Sequence, residues 1–179
     1  MTYPFLQAIS YSKGRNNHAP RLIVIHTMET PESEGRAKQV AGWFAGKTAP
    51  QASAHYMVDD KQIVQSVLET DTAWAVDDWE LNQISISIEH AGSASQTLAQ
   101  WSDFYSKAEL ALSATLAADI AKRWRIPIIK LTSADILAGK VGFCGHNDIT
   151  LAKNIKGGHT DPGVNFPWTD YLKLITSHA

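Results

Sequence analysis

Few features of the sequence point to a secreted, cross-linked or membrane-bound protein. Its 179 residues contain one cysteine, Cys144, so no disulfide can form within the chain. The longest uninterrupted aliphatic stretch, residues 22–25, is far shorter than the roughly 20 apolar residues of a membrane span, so we expect no stable membrane insertion. The first twenty residues lack the apolar core of a signal peptide, because residues 14–18 are glycine or polar. We therefore expect the chain to be made in the cytoplasm without a signal peptide.

The sequence also has almost no excess of positive or negative charge. The formal net charge is −2 at pH 7 and no basic patch is implied, so nucleic acid is not an expected partner. Hydrophobic residues make up 44% and charged residues 19%, which is ordinary for a folded protein and argues against disorder. The length suits one domain, which we place at residues 21–179 after an irregular N-terminal segment of residues 1–20. We expect this domain to be a monomer.

Hydrophobic periodicity predicts an α/β domain with a central mixed sheet and helices packed on it. Strands are predicted at residues 21–26, 55–59, 62–67 and 84–89, and helices at residues 37–47, 107–125 and 168–176. Residues 84–89 alternate isoleucine with serine or glutamate, so one face should be apolar and the other turned toward a cleft or solvent. Residues 128–165 hold most of the remaining Gly, His and Asp with little periodicity, which predicts functional loops.

Three side chains have the chemistry of a catalytic metal site. His26 ends the first buried strand, where α/β sheets commonly place ligands, and His146 and Asp161 lie in the glycine-rich region downstream. Two neutral imidazoles and one carboxylate make a three-ligand zinc site whose open fourth position can hold a water. Each residue also has a structural alternative, since strand-end histidines usually pack and Asp-Pro-Gly is usually a turn. Cys144 is an alternative ligand, but we expect it to be a small buried residue.

Five segments occur in an order that is more informative than any one of them. They are VIHT, SAHYMVD, ISISIE, GHNDI and HTDPG, at residues 24–27, 53–59, 84–89, 145–149 and 159–163. In this order they resemble the type 2 N-acetylmuramoyl-L-alanine amidase family, which shares a fold with peptidoglycan-recognition proteins and phage T7-type lysozyme. The resemblance covers roughly residues 20–175. The sequence at residues 26–29, 73–74 and 166–168 is closest to amidase modules of endolysins from phages of mycobacteria and related actinobacteria.

The resemblance implies a role for each of five residues. His26, His146 and Asp161 match the zinc ligands of the family, and Glu89 matches its catalytic carboxylate at the end of a central strand. His159 stands two residues before the last ligand, where many members have a lysine thought to stabilise the developing oxyanion. A histidine does this only if it is protonated or donates a hydrogen bond. Without the family, Glu89 would be interpreted as a solvent-facing strand residue and His159 as a loop residue without a role.

Substrate contacts are expected from Thr27, His55 and Trp74, which lie in or beside the matched segments. His55 has an alternative role as a packing residue on a strand. Tryptophan is often used where a flat ligand must be gripped, although a single tryptophan more often packs in a core. The paired histidine that follows this tryptophan in the family is absent, because Ala75 and Val76 follow Trp74.

The function that the resemblance implies is zinc-dependent hydrolysis of the amide bond between N-acetylmuramic acid and L-alanine in bacterial peptidoglycan. The chain would be a phage-type endolysin that acts on the cell wall after release, with a holin-type pore as partner. One alternative is a catalytically weak peptidoglycan-recognition module, but such proteins typically lose a zinc ligand and all three positions are filled here. A zinc peptidase would be expected to show another spacing, such as His-Glu-x-x-His, which is absent. A non-catalytic interaction protein would leave the five ordered segments unexplained.

Overall fold

Short apolar runs form strands and longer amphipathic runs form helices in the part of the chain that the computed structural model describes, residues 3–179. The strands are β1 (Tyr11–Ser12), β2 (Leu22–Thr27), β3 (Tyr56–Val58), β4 (Ile63–Gln65), β5 (Thr72–Ala73), β6 (Ser85–His90) and β7 (Gly142–Gly145). The helices are α1 (Arg36–Phe44), α2 (Trp79–Gln83), α3 (Phe104–Trp124), α4 (Ser133–Leu137), α5 (His146–Lys153) and α6 (Trp168–His178), with a short 3-10 helix at Gln100–Ser102. Among these helices, none combines the length and the apolarity that crossing a lipid bilayer requires.

Five of the strands form a mixed sheet in the order β4-β3-β6-β2-β7, and β1 pairs with β5 in a small antiparallel sheet. Strands β3, β6, β2 and β7 run parallel, while β4 is antiparallel to β3, as the second arm of a hairpin must be. Central strand β2 is buried along its whole length, because helices cover both faces of the sheet. The parallel strands end at one edge, where His26 of β2 lies opposite Glu89 of β6.

Side-chain alternation along the strands divides the core between the two faces of the sheet. Ile25 and Ile88 pack on the face that α3 and α6 cover. On the opposite face, Met57 packs with α1, and Val24 packs with Ile149 of α5. The two helix layers cover the faces of the sheet, and the edge at which the parallel strands end is where α/β sheets bind ligands.

The predicted α/β fold is confirmed, and the predicted strands, hairpin and three helices are present with ends shifted by a few residues. Cys144 is buried, as expected. The prediction of loops across residues 128–165 is wrong, because α4, β7 and α5 lie there. Strand β7 was not predicted because glycine is unfavourable in strands. A Cβ on Gly142 would come within 2.8 Å of the Ile129 carbonyl oxygen, so this strand position has no room for a side chain.

The polar face of β6 also differs from the prediction. Ser85 and Ser87 are buried rather than turned toward a cleft or solvent. Ser87 lies beside the ring of His55, whose Nδ1 accepts a hydrogen bond of 3.1 Å from the Ser87 N–H. Glu89, the last polar residue of the alternation, does line a cleft. The polar face is therefore open to a ligand only at the C-terminal end of the strand.

Helix α3 carries one buried carboxyl, Glu109, which is fully inaccessible to solvent. Its Oε1 accepts a hydrogen bond of 2.6 Å from the Ala91 N–H, whereas Oε2 has no hydrogen-bond partner among residues 3–179. Burial raises the pKa of the Glu109 carboxyl well above its usual range, and the negative charge of Glu32 adds to this effect. The fold therefore favours the protonated acid at this position.

We predict that Glu109→Gln makes the stability of the protein less sensitive to rising pH. The folded state keeps Glu109 protonated where the unfolded chain has lost that proton, so stability falls as the pH rises from about 4.3 toward the raised pKa. Glutamine keeps an acceptor for Ala91 and cannot ionise. The loss of Tm between about pH 5 and about pH 8 should be smaller by about 3 °C or more in the variant. The exposed Glu34→Gln serves as control, and an equal change in both variants would contradict this account of Glu109.

Candidate active site

A cleft of about 420 Å³ opens at the edge where the parallel strands end. Strand β2 brings His26 to it, and β6 brings Glu89. Helix α5 begins directly after β7, so its first residue, His146, stands at the same edge. Asp161 reaches the cleft from the loop that follows α5, and the Asn147 N–H donates a 2.9 Å hydrogen bond to its carbonyl oxygen. Residues that are far apart in sequence thus converge because the strands are parallel.

His26, His146 and Asp161 form a tight group at the bottom of the cleft. The Asp161 carboxylate lies 3.1 Å from His26 Nδ1 through Oδ2 and 3.4 Å from His146 Nδ1 through Oδ1. One donor atom from each residue lies within 4.8 Å of the other two, and all three residues are buried. The loop of Asp161 is packed against Gly145, where a Cβ would come within 2.6 Å of the Pro162 ring. Glycine at position 145 therefore allows the carboxylate to approach both rings.

This donor set suits Zn²⁺, which takes imidazole nitrogen and carboxylate oxygen and is held by three protein ligands in many catalytic sites. Burial lowers the pKa of His26, which favours the neutral imidazole that a metal requires. Burial also opposes ionisation of Asp161, but hydrogen bonds from His146 and His26 outweigh it and hold the pKa of Asp161 below its usual range. Both groups therefore favour the protonation state in which they can bind a metal.

Glu89 lies beside this group as a half-buried residue. It pairs with His26 across the two central strands, lines the cleft, and has an Oε2 atom with no hydrogen-bond partner in the described part of the chain. Burial raises the pKa of Glu89 well above its usual range, and the charges of Asp161 and Glu29 raise it further. A carboxyl in this position can both accept and return a proton.

His159 occupies the rim of the cleft. Its ring stacks on that of His146, with centroids 4.1 Å apart and planes 13° apart, and its side chain is 55% exposed. The two ring nitrogens face carboxylates, since Nδ1 lies 3.5 Å from Asp161 and Nε2 lies 3.9 Å from Asp77. His159 is thus placed between the buried donors and open solvent.

Two of the three expected substrate contacts line the cleft. Thr27 donates a 2.6 Å hydrogen bond to Glu29, and Trp74 donates one of 3.0 Å from Nε1 to Ser12. His55 is not among the described residues that line the cleft, because its ring is buried behind β6. Burial, together with the Arg15 guanidinium 2.8 Å from Nε2, holds the pKa of His55 well below its usual range.

Several residues that line the cleft were not identified from the sequence. Asp77 lines the cleft. Its neighbour Asp78 caps α2 by accepting a hydrogen bond from the Leu81 N–H. Two adjacent aspartates are typical of a helix start, so the sequence did not distinguish Asp77 as a site residue. Glu29 lies in a loop at a positive φ of 50°, a conformation that local sequence does not predict. Val40 and Phe44 of α1 also line the cleft, and the sequence identified them only as part of a predicted helix.

Comparison with known proteins identifies the family of the chain. The family model described as N-acetylmuramoyl-L-alanine amidase matches residues 16–164. N-acetylmuramoyl-L-alanine amidase A of Achromobacter lyticus is 30% identical over 172 residues, which are 93% of this chain and 88% of that protein.

Solved structures share the fold at low sequence identity. The Staphylococcus aureus hydrolase AmiA in complex with its ligand superposes with a TM-score of 0.69 at 13% identity, covering 100% of this chain and 87% of that chain. A mutant endolysin from Bacillus subtilis superposes with a TM-score of 0.64 at 18% identity, covering 97% and 99% of the two chains.

The resemblance found in the sequence is confirmed at the level of the family, whereas the closer likeness to actinobacterial phage enzymes stays a prediction. The family model extends over most of the chain, and an amidase aligns with nearly all of it. The chain belongs to the N-acetylmuramoyl-L-alanine amidase family and is an enzyme of that class.

Proposed function

We propose that this peptidoglycan amidase uses Zn²⁺ to hydrolyse the amide bond between N-acetylmuramic acid and L-alanine. The observation that carries the proposal is the convergence of His26, His146 and Asp161 beside the half-buried carboxyl of Glu89, in one cleft. A recognition module without catalysis would need neither a complete donor set nor an acid next to it. The geometry therefore favours an enzyme over the binding module.

The three donors would hold the metal through one nitrogen of each histidine and one oxygen of Asp161. A bound Zn²⁺ would polarise the amide carbonyl and lower the pKa of water toward neutrality. Asp161 is the one side chain among the three donors that carries a negative charge as a ligand.

Glu89 is the proposed general base and acid. Its carboxylate would take a proton from the attacking water as the new C–O bond forms, and it would then deliver that proton to the amide nitrogen as the C–N bond breaks. The products are the carboxyl group of the muramic acid and the free amine of L-alanine. Because Oε2 is buried and has no hydrogen-bond partner among the described residues, this oxygen is available for the transfer.

His159 is the proposed stabiliser of the oxyanion, acting from the rim by a positive charge or a hydrogen bond. Its ring lies against His146 and within 3.5 Å of Asp161, so it is held near the reacting carbonyl. Thr27 and Trp74, which line the same cleft, are proposed to contact the substrate.

The biological setting is part of the proposal. Residues 21–179 would be the zinc amidase domain, preceded by the segment of residues 1–20, whose Leu6 and Ala8 N–H groups donate hydrogen bonds to Gln65 and Ser66. The enzyme would act as a monomeric phage endolysin on the cell wall, with a holin-type pore for its release. The endolysin of Bacillus subtilis with the same fold supports this role.

We predict about one equivalent of zinc per chain after purification without chelator, since three donors converge on one point. His146→Ala and Asp161→Ala should each lose most of the metal in elemental analysis. The exposed His18→Ala is the matched control and should keep it. Full retention of zinc in His146→Ala would contradict the assignment of this residue as a ligand.

Glu89→Gln should retain zinc and the fold, without a fall in Tm, but lose about 100-fold or more in kcat on peptidoglycan fragments, because glutamine cannot accept the proton of water. Glutamine nearly matches the volume of the protonated acid, so the cavity should be preserved. Release of free L-alanine amino groups measures turnover. A rate close to that of the wild type would place the general base elsewhere.

His159→Ala should lower kcat by about 100-fold with zinc retained, whereas His159→Lys should keep much of the activity. The ammonium group of lysine can stabilise an oxyanion from this position. Lys156→Ala, in the same loop and exposed, controls for a general effect of the loop. Equal rates in the wild type and both His159 variants would remove this residue from the mechanism.

A further inference from the structure

The cleft has two walls of unlike chemistry. The candidate metal donors and Glu89 form a polar wall at the ends of the strands. A second part of the lining, the apolar wall, comes from α1 and the loops beside it: its members are Met28, Val40, Trp43, Phe44 and Pro50. The polar wall can carry out the hydrolysis, but the apolar wall has no group that takes part in it. Its area must therefore serve to bind part of the substrate.

Trp43 differs from the other residues of the apolar wall in its exposure. Phe44 beside it is 7% exposed, as expected for the inward face of α1, whereas Trp43 is 52% exposed and still lines the cleft. The two rings are stacked, with centroids 5.4 Å apart and planes 27° apart. The indole is thus supported by Phe44 and keeps a large apolar surface open, which a flat ligand can cover.

We propose that Trp43 binds the pyranose ring of the N-acetylmuramoyl group by stacking against it. The inference rests on the proposed function and names the part of the substrate that this wall recognises. The linkage cut by the family joins a sugar to L-alanine. The alanine side chain is one methyl group and is too small to cover an indole, whereas the apolar C–H face of a pyranose is comparable to it in size. A cleft of about 420 Å³ has room for the sugar and the alanine together.

Stacking of this kind holds the substrate equally in the ground state and the transition state. It should therefore affect KM and leave kcat unchanged. An effect on KM alone would distinguish Trp43, as a specificity-determining residue, from Glu89 and His159, whose loss should affect kcat.

The test compares two substrates that share the cleaved amide. One is an N-acetylmuramoyl-L-alanyl peptide, and the other is the D-lactoyl-L-alanyl peptide, which lacks only the sugar. Trp43→Ala should raise KM about tenfold for the first and leave KM unchanged for the second. Trp43→Phe, which keeps an aromatic ring, should have a KM close to that of the wild type on the first substrate. Trp79→Ala is the matched control, since Trp79 is also 52% exposed but is not among the described residues that line the cleft.

A second measurement does not depend on turnover. Calorimetry with free N-acetylmuramic acid should give a Kd about tenfold weaker for Trp43→Ala than for the wild type or Trp79→Ala. An equal rise of KM on both substrates, or unchanged sugar binding in Trp43→Ala, would overturn the proposal. Failure of the wild type to cut either substrate would count against the proposed function instead, and calorimetry would still decide the role of Trp43.

Discussion

The parallel pairing of β2 with β6 on one side and β7 on the other is the constraint on which the rest of the structure depends. It sets His26 opposite Glu89 and directs the chain from β7 straight into α5, whose first residue is His146. A slip of one residue between β2 and β6 would turn Glu89 away from the cleft, because alternate side chains face opposite sides of a sheet. The buried isoleucines on the other face of both strands fix this register, so core packing and site geometry are set together.

The surroundings of two carboxyl groups in the cleft shift their pKa values in opposite directions. Asp161 faces two imidazoles and is held as a carboxylate, whereas desolvation and nearby negative charges raise the pKa of Glu89 and favour its protonated form. Such separation of two neighbouring acids is typical of sites that assign one to binding and the other to proton transfer. The division of roles follows from placement alone, since both side chains carry the same functional group.

Local sequence patterns predicted the parts of the site that lie on regular strands, whereas His146, Asp161 and His159 were assigned roles through the resemblance to a family. His26 ends a continuous apolar run and Glu89 ends a strict alternation, and both patterns are local. The rest depends on tertiary contacts. Strand β7 was missed because its glycines are required by Ile129 and Pro162, which belong to other segments. Trp43 falls outside the apolar stripe of α1, so only the docking of that helix brings it to the cleft. His55, which has the right chemistry for a ligand contact, is covered by the fold instead.

The wide separation of the candidate ligands along the chain links metal binding to folding. His26 lies in an early strand, whereas His146 and Asp161 lie near the C-terminal end, so the donors meet only when the long-range strand pairing is complete. A cation that binds this set and not the unfolded chain adds its binding free energy to the stability of the fold. It would thereby connect three distant segments as a cross-link does, in a chain whose single cysteine cannot supply an internal disulfide.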